Sequence, residues 1–129
     1  MKSGPIKEKG LSTKVVGPPA WIFMHSIAQR YSRDPKNPTV IEKQHAKQFY
    51  SSIETLFPCG VCRDSYSIYL QLLPIDFFLN SRRDLILWVY TIHNFVNYKL
   101  MKQGQTIEIP TLQDIYRKYE SFTTTPSHR

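Results

Sequence analysis

The stretch Ser81–Gly104, SRRDLILWVYTIHNFVNYKLMKQG, decides the fold. Apolar residues recur in it at the helical period: Leu85, Trp88 or Val89, Ile92, Phe95 or Val96, and Leu100. Asn80 or Ser81 caps its start. Ser81 with Asp84 makes a short version of the capping box, in which a side-chain oxygen answers a backbone N–H that the first turn leaves unpaired. Gly104 lies just past the end, where a helix stops.

Working outward, the neighbours are helices too. Pro74–Phe78 reads as a connector. Before it, a short helix starts within a Cys pair and carries Tyr66, Tyr69, Leu70 and Leu73. A longer helix spans Val40–Leu56 with Ala46, Phe49, Ile53 and Leu56 on one face, and Pro58 ends it. Asp34–Pro38 breaks the chain. The first helix is expected from Gly17-Pro18-Pro19, since proline is tolerated in a first turn. Its apolar face is Trp21, Met24, Ile27 or Ala28, and Tyr31. Downstream, Ile107–Pro110 is too short to support a sheet, and Thr111 with Asp114 caps a fifth helix whose face is Leu112, Ile115 or Tyr116, and Tyr119. The expected fold is all-α: a four-helix bundle with a short fifth helix. Residues 1–14 read as a flexible N-terminal segment, 15–122 as the folded domain, and 123–129 as a disordered tail or linker.

Composition bounds the function. The 129 residues are 41% hydrophobic and 13% aromatic, which is a single globular domain rather than a disordered chain. No apolar run approaches the roughly 20 residues that span a bilayer. Met1–Pro5 lacks the apolar stretch of a signal peptide. The net charge of +7 favours solubility and anionic ligands. Lys and Arg are spread along the chain rather than massed, which argues against specific nucleic-acid binding.

The chemistry centres on Cys59-Gly60-Val61-Cys62, the only two cysteines present. A disulfide stabilises a fold mainly through the loop it closes, and a loop this short constrains almost nothing. Three readings are open: redox chemistry, half of a metal site, and two buried thiols. Zinc needs about four ligands, and the histidines stand apart at His25, His45, His93 and His128. A thioredoxin-like site needs a βαβ setting, and helices flank this pair. At a helix start, orphan N–H groups and the dipole favour a thiolate within the first turn, and Arg63 adds positive charge. Cys59, beside Pro58, is left nearer the surface, where it can meet another sulfur. Elsewhere, Trp21 and His25 stand one turn apart on the first helix, and His93, Asn94 and Asn97 on the fourth. Amides inside a helix lower its propensity and demand partners when buried. Polar groups on otherwise apolar faces point to a ligand between helices.

Gly17-x-x-x-Trp21-x-x-x-His25, then Phe57-Pro58-Cys59-x-x-Cys62, then Trp88 and His93-Asn94-x-Val96-Asn97-x-Lys99-Leu100-x-Lys102 resemble the ERV/ALR-type FAD-dependent sulfhydryl oxidases. The match is ordered over residues 15 to 120, and the short length with a single Cys pair is most like the viral members. The resemblance implies a homodimer holding FAD at the mouth of the bundle. It implies that Cys62 is the flavin-proximal thiol and Cys59 the one that exchanges with substrate. Gly17, Trp21 and His25 would line the flavin from the first helix. Cys62 would line it from the third, and His93, Asn94, Val96, Asn97 and Leu100 from the fourth. Lys99 and Lys102 would neutralise the pyrophosphate, and Tyr116 would stack on the adenine.

The implied activity joins protein thiols into disulfides and passes the electrons to molecular oxygen, giving hydrogen peroxide. The partners are a protein dithiol or a thioredoxin-like shuttle. Viral kinship would place the chain in host cytoplasm or virion. Many members have Arg after the glycine that Gly17 matches; here Pro18 follows. Cellular members carry further cysteines as a shuttle and a structural disulfide, which this sequence lacks. Two other classes fit the residues: a non-catalytic helical interaction module and a zinc-binding adaptor.

Overall fold

The computed structural model describes residues 9–124. The expectations for residues 1–8 and 125–129 lie outside them. Among the described residues there are five α-helices and no strand: α1 (Thr13–Gln29), α2 (Val40–Leu56), α3 (Gly60–Leu72), α4 (Arg82–Lys102) and α5 (Leu112–Glu120). The connector before α4 is a single 3-10 turn, Ile75–Phe78.

The caps explain most of the boundaries. Thr39 and Glu42 form a full capping box at α2, and Thr111 with Asp114 forms another at α5. At α4, Ser81 Oγ accepts the Asp84 N–H. Gly104, at φ +93°, takes the left-handed conformation that ends α4 and that only glycine adopts without strain.

One boundary differs from expectation. α1 begins at Thr13, so Pro18 and Pro19 lie inside it rather than at its start. The first full turn is built before them, with the Val15 and Val16 N–H groups donating to Ser12 O. The prolines therefore remove two later N–H donors without preventing initiation. Residues 13 and 14 belong to the helix rather than to a flexible lead.

α4 is the axis of the core. α1 packs on it, α2 packs on α3, and α5 packs on α1. Trp88, Leu85, Ile86, Val89 and Ile92 of α4 are fully buried together with Tyr50 of α2. Both Trp88 and Val89 face inward, because the helix is covered on more than one side. Phe49 and Ile53 pack against this core, whereas Leu56 is 74% exposed. α2 runs past the core at that end, so its last apolar position has nothing to cover it.

Two buried phenols and the buried indole donate to carbonyls of neighbouring elements. Tyr50 Oη donates to Met24 O at 2.7 Å, Tyr66 Oη to Tyr50 O at 2.7 Å, and Trp88 Nε1 to Leu73 O at 2.9 Å. These bonds stitch α1 to α2, α2 to α3, and the end of α3 to α4. Truncating Trp88 to Ala would cost roughly 3–5 kcal/mol in lost packing and leave Leu73 O unpaired.

Candidate functional site

α2 ends at Leu56 and α3 begins at Gly60, so Phe57, Pro58 and Cys59 form the whole link between them. Proline cannot continue α2, and its fixed φ sets an extended path. Cys59 is the N-cap of α3, at φ −150° and ψ 115°. Its Sγ accepts the Cys62 N–H at 3.4 Å, in the place a serine oxygen would take. Both thiols are unbonded and half-buried.

This arrangement reverses one expectation. The Cys62 N–H, the backbone donor of the first turn, is directed at the sulfur of Cys59. The Cys62 thiol is pushed up to about 12, by burial first, then by its hydrogen bond to Cys59 and the charge there; Lys99 and, to a smaller extent, the Cys62 N–H work in the opposite direction. Arg63 does not turn its charge on the pair. Its Nη1 donates to Phe57 O at 2.6 Å. The cation near the site is Lys99 of α4, whose Nζ donates to Ser65 Oγ at 2.5 Å. Ser65 lies one helical turn beyond Cys62 and on the same side of α3.

A second cluster joins α1, α4 and α5. The rings of Trp21 and His93 stack with centroids 3.9 Å apart and planes 7° from parallel. His25 Nε2 and His93 Nδ1 share a hydrogen bond of 3.1 Å. His25 is 2% exposed. Its pKa is held down at about 3 by burial, then by His93 and Lys118; that of His93 is held at about 4 by burial and then Lys118. Both imidazoles are therefore neutral near pH 7, one donating to the other. His25 Nδ1 has no partner, and neither has Gln29 Nε2, one turn further along α1. On α4, one turn past His93, Asn97 is buried and donates through Nδ2 to Asn94 Oδ1 at 3.1 Å.

The other expected residues are placed more loosely. A Cβ added at Gly17 would meet nothing within 4 Å, so its lack of a side chain is not required by this chain's own packing. Val96 and Leu100 are half-buried on α4, and Lys102 is exposed near its end. Tyr116 is half-buried and lines a groove of about 470 Å³ with Arg83, Leu112 and Gln113. Arg83 and Lys99 are separated by about 24 Å along α4, so that groove lies toward the opposite end of the helix from the lysine.

Three participants were not singled out from sequence. Tyr119, read as core, sets its ring 5.5 Å from that of His25. Lys118 acts electrostatically on both histidines. Ser65 links Lys99 to α3. Only Ser65 carried a signal, its spacing of three from Cys62. Among the described residues, no three His, Cys, Asp or Glu side chains gather as a metal set, and no helix is long and apolar enough to cross a membrane.

The constellation has counterparts. A probable FAD-linked sulfhydryl oxidase of Acanthamoeba polyphaga mimivirus is 38% identical over 93 residues, covering 68% of this chain and 63% of its own. A putative FAD-linked sulfhydryl oxidase of Invertebrate iridescent virus 3 is 32% identical over 71% of this chain and 60% of its own. The chain thus spans about 60% of the length of these relatives. In structure, the yeast Erv1 core superposes with a TM-score of 0.74 at 23% identity, covering 95% of this chain and 96% of that one, which establishes the shared fold. The Erv1/Alr family model matches residues 18–117, a span that takes in both the cysteine pair and the Trp21/His25/His93 cluster. On that match and on the identity to the viral relatives, the chain belongs to the Erv1/Alr family.

Proposed function

We propose that this chain is an FAD-dependent sulfhydryl oxidase, in which Cys59 and Cys62 form the redox-active pair. The observation that carries the reading is the pairing of two unbonded thiols at the start of α3 with a lysine from α4 placed one turn beyond the inner thiol.

The residues present fit FAD. A flat heterocycle with hydrogen-bonding edges suits a flat aromatic stack, two neutral imidazoles, a buried carboxamide, and a buried ring nitrogen still without a partner. Trp21, His25, His93, Asn94 and Asn97 would hold it, with Gly17, Val96 and Leu100 at its edges. Lys99 and Lys102 would meet the diphosphate; Tyr116, whose groove lies toward the Arg83 end of α4, is too far from them to meet the adenine of the same molecule. When bound, FAD supplies a two-electron acceptor that oxygen can regenerate, with hydrogen peroxide as the product.

The chain's own part is thiol–disulfide exchange. A substrate thiolate attacks Cys59 Sγ of the Cys59–Cys62 disulfide; the new S–S bond forms as the old one breaks, and Cys62 leaves as thiolate. The substrate's second thiolate then attacks its own sulfur in the mixed disulfide and releases Cys59. Substrate has lost two electrons and the pair has gained them. Cys59 suits the outer role because it precedes the helix and stands beside Pro58. The half-buried Cys62 is a poor site for charge, and Lys99 offsets this in part by attraction.

A symmetric homodimer is part of the same proposal. On α1, Phe23 is 59% exposed beside Ile22, and on α2 Ile41 is 57% exposed beside Val40. A two-fold interface would bury matching patches of both helices.

The test is an absorption spectrum of the protein purified with FAD, joined to dithiol oxidation. Flavin should co-purify. Cys59→Ser should keep the flavin and lose turnover; Cys62→Ser should lose turnover while Cys59 stays trappable in a mixed disulfide. A flavin-free protein, or turnover at the unmutated rate in either variant, would refute the assignment.

A further inference from the structure

Three residues join α2 to α3, and the last of them is Cys59. A short link between helices is free to shift unless something outside it holds it. Within the link, the Cys59 N–H donates to Phe57 O at 2.8 Å, and Arg63 Nη1 takes the same oxygen at 2.6 Å. The third hold comes from far away in sequence. The Leu11 N–H, ahead of α1, donates to Pro58 O at 2.8 Å.

Gly10 makes that hold close. A Cβ at Gly10 would lie 3.0 Å from Pro58 O, 3.2 Å from Cys59 Cα and 3.8 Å from Cys59 Cβ. The two nearest are backbone atoms, which cannot swing aside as a side-chain tip can. A side chain here would have to displace that backbone by a few tenths of an ångström, a close approach that favours glycine. The segment before α1 lies directly against the backbone of the exchanging cysteine. Leu11 is exposed, so its side chain is not what anchors the segment.

We propose that Gly10 and Leu11 form a backbone clamp that positions Cys59 for closing the bond to Cys62. The proposal rests on the redox reading of that pair. Disulfide geometry is narrow, and Cys59 already has its sulfur turned over the first turn of α3, on the Cys62 N–H. A Cys59 backbone held from outside has less freedom to lose when the ring closes, so the clamp favours the disulfide over the dithiol. If the clamp held both forms equally, it would be packing alone and would shift nothing.

The equilibrium to measure is protein dithiol + GSSG ⇌ protein disulfide + 2 GSH. The full chain with FAD is equilibrated anaerobically in glutathione buffers of graded ratio, quenched with acid, and read by the mass added on thiol alkylation. Gly10→Ala presses the segment away from Pro58 and Cys59 by a few tenths of an ångström and so loosens the clamp. Leu11→Pro deletes the N–H donor. Each should lower the equilibrium constant by roughly 5- to 10-fold, the equivalent of freeing one residue's backbone. Leu11→Ala keeps the donor and should match the unmutated protein. Unchanged constants in Gly10→Ala and Leu11→Pro, with a disulfide that forms normally, would overturn the clamp and leave the oxidase reading standing. An equal drop in Leu11→Ala would also overturn it, since the side chain rather than the backbone would then be responsible. An unmutated protein that forms no disulfide at any ratio would overturn the redox reading, and the clamp with it.

Discussion

Acidification should destabilise the FAD-free protein through the His25–His93 pair, beginning below about pH 6.5. An unfolded imidazole titrates near 6.5. In the fold, burial and neighbouring charge hold His25 at about 3 and His93 at about 4. A base with a depressed folded pKa contributes its full stability above 6.5. That contribution is lost as pH falls from 6.5 toward the folded values, because only the unfolded chain takes up the protons. At about pH 4.5 each histidine has cost about 2–3 kcal/mol, or on the order of 5 kcal/mol together. A domain of ordinary stability, about 5–15 kcal/mol, loses much of its margin. Glu42, held at about 2 chiefly by the Thr39 N–H, and Asp114, also lowered, chiefly by the Thr111 N–H, act in the opposite window. Their stabilisation is complete above the ordinary carboxylate range and is lost only below it. Urea unfolding of FAD-free protein at about pH 7, 6, 5 and 4.5 should show stability falling by up to about 2.7 kcal/mol per unit below pH 6. His25→Gln with His93→Gln should start from a different stability but lose that slope. A flat profile in the unmutated protein, or the same slope in the double variant, would refute the reasoning.

Replacing Lys99 and Lys102 together by Ala should strip FAD during gel filtration, since each charge-assisted hydrogen bond is worth roughly 1.5–3 kcal/mol, and loss of the ligand should lower the melting temperature. Equal flavin occupancy in mutant and parent would remove both lysines from the site. Light scattering at micromolar concentration should give the mass of two chains, and Phe23→Asp should give that of one; a monomeric parent would count against the α1–α2 interface.

The fold was legible where local chemistry and burial agree. The α2 boundaries, the caps at Thr111 and Ser81, and the glycine stop at Gly104 depend on a few adjacent residues, and each is found where the sequence places it. The start of α1 was not, because Pro18-Pro19 reads as an entry signal, while a turn already formed before it can carry two prolines into a helix. Tyr50 was missed for another reason. It is polar at one end, and only the carbonyl of Met24 across the interface makes its complete burial acceptable. The candidate site divides in the same way. The spacing of Trp21 and His25, and of His93 and Asn97, puts each pair on one helix face. The pairing between helices, with His25 against His93 and Trp21 stacked on His93, depends on how α1 lies on α4, which no local pattern encodes. Lys118 and Tyr119 entered through α5 by the same tertiary route.

The cysteine pair shows most sharply what local reasoning leaves out. A helix start followed by Arg63 suggests a thiolate favoured at Cys62. Two facts of three-dimensional placement change this. The N–H available at that turn is the one Cys59 accepts, and Arg63 is drawn back to the carbonyl of Phe57. Burial then works against charge on Cys62, and the larger counterweight is Lys99, delivered from another helix, with the Cys62 N–H the smaller. The outer sulfur accepts a backbone N–H of its own helix, and the inner one draws its larger offsetting charge from a side chain of another helix. An exchange reaction that enters at Cys59 and leaves charge at Cys62 therefore needs α3 and α4 in register. The buried run of Leu85, Trp88, Val89 and Ile92 provides that register by fixing α4 within the core. The same apolar period that decides the fold thereby positions the lysine that the inner thiol needs.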